Sequence, residues 1–300
     1  KNMDESPEFK QAKSEGKTSK NPLKESFGNK YNLKFVLLAL FGAAMGQGVV
    51  WYTGQFYSMS FMKTVMHLHT DQADMILGIA LLFGTPFFIV FGWLSDKVGR
   101  KWVMLTGMAL ALLTYRPIYE KMYQLTNVAN KEEIVAQKEE FFEEVKTEKG
   151  KDEIVTHKSY YTDGTIVTIS NTKHIKDGVE SNIISKQNIT ISGSNYVYLI
   201  LLIFIQIIYI TLVYGPIAAF LVEIFPVKIR YTSMSLPYHI GNGVFGGLLP
   251  AVSTYLATNA QTMNDAEYYL AGLWYPIIIS AVCFIIGALY INKSIYVKNQ

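Results

Sequence analysis

Ten consecutive residues carry the strongest chemical signal in this chain: Gly92-Trp93-Leu94-Ser95-Asp96-Lys97-Val98-Gly99-Arg100-Lys101. They place one carboxylate among three cations and join two apolar runs, 76–91 and 102–113. Basic residues beside membrane spans tend to stay on the cytoplasmic side, so this turn fixes an orientation. Gly92 and Gly99 let helices and backbone approach closely. Asp96 is expected near a helix end, where it meets exposed N–H groups or the basic residues beside it. A second basic turn, Glu223-Ile224-Phe225-Pro226-Val227-Lys228-Ile229-Arg230, sets a carboxylate and a guanidinium at the edges of a short connection. Ionic contacts at such rims, made in one state and broken in another, bias a two-state equilibrium.

Polar side chains inside apolar runs are the other chemistry, because burying them in lipid is costly. Gln47, Trp51 and Gln55 recur every four residues and share one helix face, bordered by Tyr52. Aromatic rings with amide groups suit a small zwitterion or carboxylate, through stacking and hydrogen bonds. Helix–helix hydrogen bonding or an interfacial aromatic belt would use the same residues. His239 and Asn242 stand about a turn apart in a later run. Asn242, between two glycines, suits a helix break as well as a solute, and His239 lies toward the cytoplasmic end. Tyr214 stands beside Gly215-Pro216. No Asp or Glu lies at the middle of any run, so a proton-coupling carboxylate is expected outside this sequence, unless His239 contributes.

The elements that must position these residues follow from the apolar runs. Half of the 300 residues are hydrophobic and 17% are charged, yet the two classes are segregated. Six runs, 35–62, 75–91, 102–119, 196–222, 233–257 and 270–291, are each long enough to approach or cross a hydrocarbon core of about 30 Å. The expected fold is therefore an all-α membrane protein of six transmembrane helices. Residues 1–34 read as a cytoplasmic linker, 35–119 as the first three spans, 120–195 as an extracytoplasmic insert, 196–291 as the last three spans, and 292–300 as a cytoplasmic tail. This arrangement puts all four basic segments on one side, the tail with Lys293 and Lys298 included. Pro86 predicts a kink, Arg116-Pro117 the end of the third span, and Gly215-Pro216 a break. The polar turn 67–74 leaves His67 and His69 solvated.

Within the insert, apolar points at Ile134, Phe141, Phe142 and Val145 predict a helix over 130–149. Thr162-Asp163-Gly164-Thr165 between apolar β-branched pairs predicts a hairpin. The insert is thus expected to be a small α+β module. Cys283 is the single cysteine, so no disulfide framework exists. There is no nucleophile–base pair, phosphate loop or metal-ligand cluster in the sequence, so neither enzyme chemistry nor a cofactor or metal is expected. Nucleic-acid binding is not suggested either, since the basic segments suit an inner membrane face.

The pattern G-x-L-S-D-K-x-G-R-K at 92–101 resembles the signature loop of the major facilitator superfamily, a class of secondary transporters. The E-x6-R pattern from Glu223 to Arg230 is similar to a second loop of that class. Glu5-Ser6-Pro7-Glu8-Phe9, Tyr214-Gly215-Pro216-Ile217-Ala218-Ala219-Phe220-Leu221-Val222-Glu223 and Ser235-Leu236-Pro237-Tyr238 resemble the metabolite:proton symporter group. That group carries proline, betaine, 2-oxoglutarate, citrate and shikimate. The resemblance implies spans seven to twelve of a twelve-span fold, with the N-terminal half missing. It implies a small organic solute, a coupling proton and a lipid bilayer as partners, by alternating access in the cytoplasmic membrane. It implies a cytoplasmic gate of Gly92, Asp96, Gly99, Arg100, Lys101, Glu223 and Arg230. The tail lacks the motif that sugar porters carry after the last span. A sugar or other solute porter of the same fold, or a transporter-like receptor, remains the alternative. Members have a shorter connection after the ninth span, so the insert stands outside the resemblance.

Overall fold

The computed structural model describes residues 7–16, 19–147, 150–176, 179–180 and 182–291. The expected tail 292–300, with Lys293 and Lys298, lies outside the described residues, as do Glu5 and Ser6. Contacts divide the chain into two compact units: Lys1–Tyr57, Leu81–Arg116 and Phe204–Gln300 form one, and Ser58–Ala80 with Pro117–Ile203 form the other.

The helices come in chain order. Short helices α1 (Pro7–Ser14) and α2 (Pro22–Gly28) open the chain. A long rod follows: α3 (Lys30–Ala39), a π-helical turn Leu40–Ala44, α4 (Met45–Tyr52), a second π turn Thr53–Tyr57, and α5 (Ser58–Thr64). Then come α6 (Thr70–Gly84), α7 (Pro86–Val98) and α8 (Arg100–Thr126). After the insert run α9 (Gly193–Ile224), α10 (Arg230–Ile240), a π turn Gly241–Gly246, α11 (Leu249–Thr262), α12 (Tyr268–Ala271) and α13 (Trp274–Tyr290).

Residues 7–16 and 19–34, in the segment expected as a linker, hold two short helices and the start of α3. Asn21 and Asn29 accept hydrogen bonds from the N–H groups of Lys24 and Tyr31, so each starts a helix with its own side chain. Ser26 of α2 is buried and accepts a 2.9 Å bond from Ser233, and Glu25 pairs with Lys228. The Lys228 bond holds the Glu25 carboxyl below its ordinary range.

Among the described residues, four segments are long and apolar enough to cross a membrane: Lys30–Thr64, Thr70–Val98, Gly193–Ile224 and Tyr268–Tyr290. Six spans were expected. The third expected run lies on α8, which carries Arg116, Glu120 and Lys121, and the fifth is helical but interrupted at Gly247-Leu248. Prolines behave in two ways. The helix breaks at Thr85, with Pro86 opening α7, where its missing N–H costs nothing. Pro117 and Pro216 instead lie inside α8 and α9, and neither ends its helix as expected. Each removes only the bond to the carbonyl four residues back, which the surrounding packing tolerates.

The first unit is built on close backbone approaches along the rod. A Cβ on Gly48 would stand 2.9 Å from the Gly241 carbonyl carbon, and one on Gly241 2.6 Å from Ala44. One on Gly46 would stand 2.7 Å from the Cys283 sulfur, and one on Gly287 2.6 Å from the Gly42 oxygen. The rod therefore packs one glycine face on the Gly241–Gly246 turn and another on α13. Phe35, Val36, Met104, Phe220, Leu221, Ile224 and Phe225 form one buried core of this unit. Outward-facing apolar residues remain, Ile89 at 79% exposure among them, as a lipid-facing surface requires.

The second unit contains the insert, and here the helix expected over 130–149 is absent from the described residues: a 3-10 turn, Val135–Gln137, precedes a strand, Glu139–Thr147. The sheet is antiparallel, with β1 (Glu139–Thr147), β2 (Gly150–Tyr160) and β3 (Ile166–Lys176) as a meander. β4 (Val179–Glu180) and β5 (Ile184–Thr190) both pair with β3. The insert is a sheet with two 3-10 turns, not an α+β module. The spacing of Phe141, Phe142 and Val145 fits a helix, but pairing with β2 along nine residues overrides that local preference. The hairpin does form at the expected residues. Gly164 takes φ +80°, its N–H donates to the Tyr161 oxygen at 3.0 Å, and Asp163 accepts from the Thr165 N–H at 3.0 Å. The turn 67–74 is not simply solvated: Leu68 is buried and bridges Ile189, and α6 begins at Thr70.

Lys131 anchors this hairpin. Its ammonium donates to the Leu125 carbonyl at 2.6 Å, to Asp163 at 2.7 Å and to Thr165 at 2.7 Å. Burial pushes the Asp163 carboxyl up, yet the Lys131 and Thr165 bonds outweigh it and hold the group below its ordinary value. A depressed carboxylate stabilises above its unfolded pKa and loses that contribution as pH falls through the folded one. The anchor should therefore weaken as the pH drops below about 3.8, the ordinary Asp value. At neutral pH, Lys131→Ala should cut amide-exchange protection of the 161–165 turn roughly tenfold or more. Unchanged protection would show that the turn holds itself.

Candidate functional site

Two groups of residues stand out in the first unit. The first lies where α7, α8 and α9 end or begin. A Cβ on Gly215 would stand 3.1 Å from the Phe88 oxygen and 3.2 Å from the Gly92 nitrogen, so α7 and α9 touch backbone to backbone there. Glu223 lies eight residues beyond that contact on α9, about 12 Å along the axis, and Arg100 opens α8 just past the end of α7. The Arg100 guanidinium reaches Glu223 through Nη2 at 2.7 Å and Nε at 2.8 Å, and Asp96 through Nη1 at 2.7 Å. Its side chain is only 20% exposed. The Glu223 bond, then its charge and that of Asp96, favour the charged form of Arg100 against the cost of burial.

Gly99 is what allows this approach. It caps α7 at φ +100°, a left-handed value that an L side chain rarely adopts, and Arg100 opens α8 immediately afterwards. Asp96 sits in the last turn of α7, as expected near a helix end, and its partner is the basic residue four positions on. Lys101 does different work. It donates to the Ala288 and Ile291 carbonyls at 2.8 and 2.6 Å, capping the end of α13. Burial pushes its ammonium pKa down. Arg230 donates from Nε to the Phe225 carbonyl, folding back on its own turn. The seven expected gate residues thus divide: Asp96, Arg100 and Glu223 make the ion-pair triad, Gly92 and Gly99 permit it, and Lys101 and Arg230 bind backbone carbonyls.

The second group is polar and aromatic. Gln47 is fully buried and exchanges two amide hydrogen bonds with Asn242, each 3.0 Å. Asn242 also donates to the Tyr238 carbonyl at 2.9 Å, and its own carbonyl accepts the π-type bond from Gly247. It therefore both closes the helix break and faces α4. Trp51 packs on Tyr214 with ring centroids 4.3 Å apart, and Phe88 meets Tyr214 edge-on at 6.1 Å. The Tyr214 hydroxyl bonds the Tyr238 hydroxyl at 2.5 Å. Four helices, α4, α7, α9 and α10, thus converge on one cluster of rings and amides.

Of the residues expected on the path, Gln47, Trp51, Tyr214 and Asn242 come together. Tyr52 borders them, stacked on Phe56 and against Gly246. Gln55, half-buried, lies on the π turn Thr53–Tyr57. His239 is exposed, in ring contact with Tyr238 rather than facing Gln47. Phe88 and Tyr238 join the cluster without having been singled out in the sequence. Tyr238 stands four residues before Asn242, and that spacing is the signal the sequence offers for it.

A family model described as the Major Facilitator Superfamily matches residues 4–119. Over 81 residues the chain is 36% identical to a protein of Haemophilus influenzae named "Putative metabolite transport protein". That stretch is 27% of this chain and 16% of the relative, so the chain spans only a small part of the curated relative it matches. No solved structure matches. The four apolar helices and the family match together support a multi-pass membrane protein. Over residues 4–119, which hold the Arg100 turn and the Gln47–Trp51 helix, this chain is similar to the Major Facilitator Superfamily.

Proposed function

We propose that the chain is the six-span C-terminal part of a secondary active transporter that moves a small organic solute by alternating access. The observation that carries the reading is the Gln47–Asn242 amide pair beside the Trp51–Tyr214 rings, a polar and aromatic cluster within an apolar bundle. Amides and hydroxyls supply donors and acceptors without fixed charge, and the rings supply faces for a cation or an apolar body. A carboxylate, amino acid or betaine suits such a surface. The relative's name, which speaks of metabolite transport, supports the same class. Proton coupling belongs to this proposal, as does a coupling carboxylate on the other half of the fold. So do the cytoplasmic membrane as location, a cytoplasmic face for the Arg100 triad and an outer face for the insert.

The test is uptake by the intact protein in proteoliposomes, screening proline, betaine, 2-oxoglutarate, citrate and shikimate with and without a proton gradient. Accumulation of one solute, driven by the gradient, is the expected result. In that solute, Trp51→Ala and Asn242→Leu should each lower uptake about tenfold, with equal amounts of folded protein. Full uptake by both variants would remove the cluster from the solute path. Failure of every solute, sugars included, to accumulate or exchange would sink the transporter reading.

A further inference from the structure

The sheet of the insert ends in a strand whose composition is unusual for an edge. Among the described residues β1 pairs with β2 alone, from Glu139↔Lys158 to Thr147↔Gly150, and its other side carries no strand. Four of its nine residues are carboxylates: Glu139, Glu140, Glu143 and Glu144. Between them Phe141 and Phe142 stand 48% and 63% exposed. Alternation puts Phe141 with Glu139 and Glu143 on one face, and Phe142 with Glu140 and Glu144 on the other. With Lys146 as its single lysine, the strand keeps three carboxylates in excess, four less one. Lys151 lies 2.9 Å from Glu153 and 3.4 Å from Glu144, so it is shared, and the Lys158 ammonium sits over the Phe141 ring at 4.9 Å.

We infer that the outer edge of β1 is a docking strand for an extended, Lys- or Arg-rich segment of a partner protein, which adds to the sheet as a further strand. Main-chain hydrogen bonds would supply the binding, the phenylalanines apolar contact, and the glutamates the choice of partner. A second copy of this chain fits poorly in the register that sets the two rings against each other. Antiparallel self-pairing centred between Phe141 and Phe142 sets Glu140 against Glu143 and Glu139 against Glu144, all like charges. Edge charges alone can also serve to repel strands. Here the exposed ring pair between them gives an incoming cationic strand something to hold.

The probe is a fluorescent decapeptide of alternating Lys and Val, titrated into the intact protein in nanodiscs at physiological salt. Saturable binding is expected, with Glu140→Lys plus Glu143→Lys weakening it about tenfold or more. A Glu/Val decapeptide should not bind, and alternate N-methylation of the Lys/Val peptide should abolish binding by removing its strand donors. The N-methyl comparison needs no protein variant, so it stands even if the charge reversals disturb the sheet. No saturable binding, or equal binding of the N-methylated peptide, would overturn the inference. So would dimerisation through β1, shown by a cross-link between Cys substitutions at Phe142 of two copies.

Discussion

Gly241→Val should prevent this chain from reaching its folded state in the membrane, and Gly48→Val should do nearly the same. At Gly241 a single added carbon would stand 2.6 Å from the Ala44 carbonyl carbon and oxygen and 2.9 Å from the Ala44 side chain. At Gly48 it would meet the Gly241 carbonyl carbon at 2.9 Å and the Asn242 Cα at 3.2 Å. These neighbours are backbone, which cannot swing aside as a flexible side chain could. The helices would have to separate, and overpacking of this kind costs on the order of 3 kcal/mol or more. Separation would also pull Asn242 from Gln47, leaving a fully buried amide without partners, at a further cost of about 1–3 kcal/mol. The measurement is the folded, monodisperse fraction in mild detergent with its thermal midpoint. Gly243→Val is the control, because a Cβ there meets nothing within 4 Å. Normal folding of the Gly241 variant with an unchanged midpoint would show that this crossing is looser than the geometry requires.

The same contact shows what a sequence can and cannot disclose. Gly42, Gly46 and Gly48 in one apolar run announce a close-packed helix, and the structure places backbone or side chain of another element against each. Pro86 and the Asp163-Gly164 turn are equally legible, because their effects are local: one lacks an N–H, and the other adopts a left-handed φ. The Phe141–Val145 segment was misread as helix because its strand state depends on pairing with β2, which no local pattern encodes. Pro117 is expected to end a helix and Pro216 to break one, but long packed helices tolerate the loss of one bond. At the aromatic cluster, Gln47 and Trp51 could be found from their spacing on one helix. Phe88 could not, since it reaches Tyr214 only through packing between helices, and Tyr238 offers only its four-residue spacing from Asn242.

On the proposed transport function, Arg100→Ala should lower solute uptake about tenfold while leaving the amount of folded protein unchanged. The guanidinium holds two carboxylates, Asp96 and Glu223, on helices α7 and α9. Exposed ion pairs contribute little, with a median of about 0–1 kcal/mol. This one is stronger in geometry, since two nitrogens of a largely covered Arg100 reach one Glu223 oxygen. Its loss leaves the Asp96 and Glu223 carboxylates beside each other without their cation. A conformational bias of about 1.4 kcal/mol corresponds to a tenfold change in population, so losing the triad is enough to unbalance a two-state cycle. Arg100→Lys should recover part of the uptake, because an ammonium keeps the charge but cannot reach both carboxylates in the same fork. A double-mutant cycle of Arg100→Gln with Glu223→Gln separates pairing from topology. Coupling of about 1 kcal/mol or more is expected in the uptake rate, since either single change already breaks the pair. If the two effects simply add, or if Arg100→Ala transports normally, then the charges of this turn mark the inner face of the membrane and take no part in the cycle.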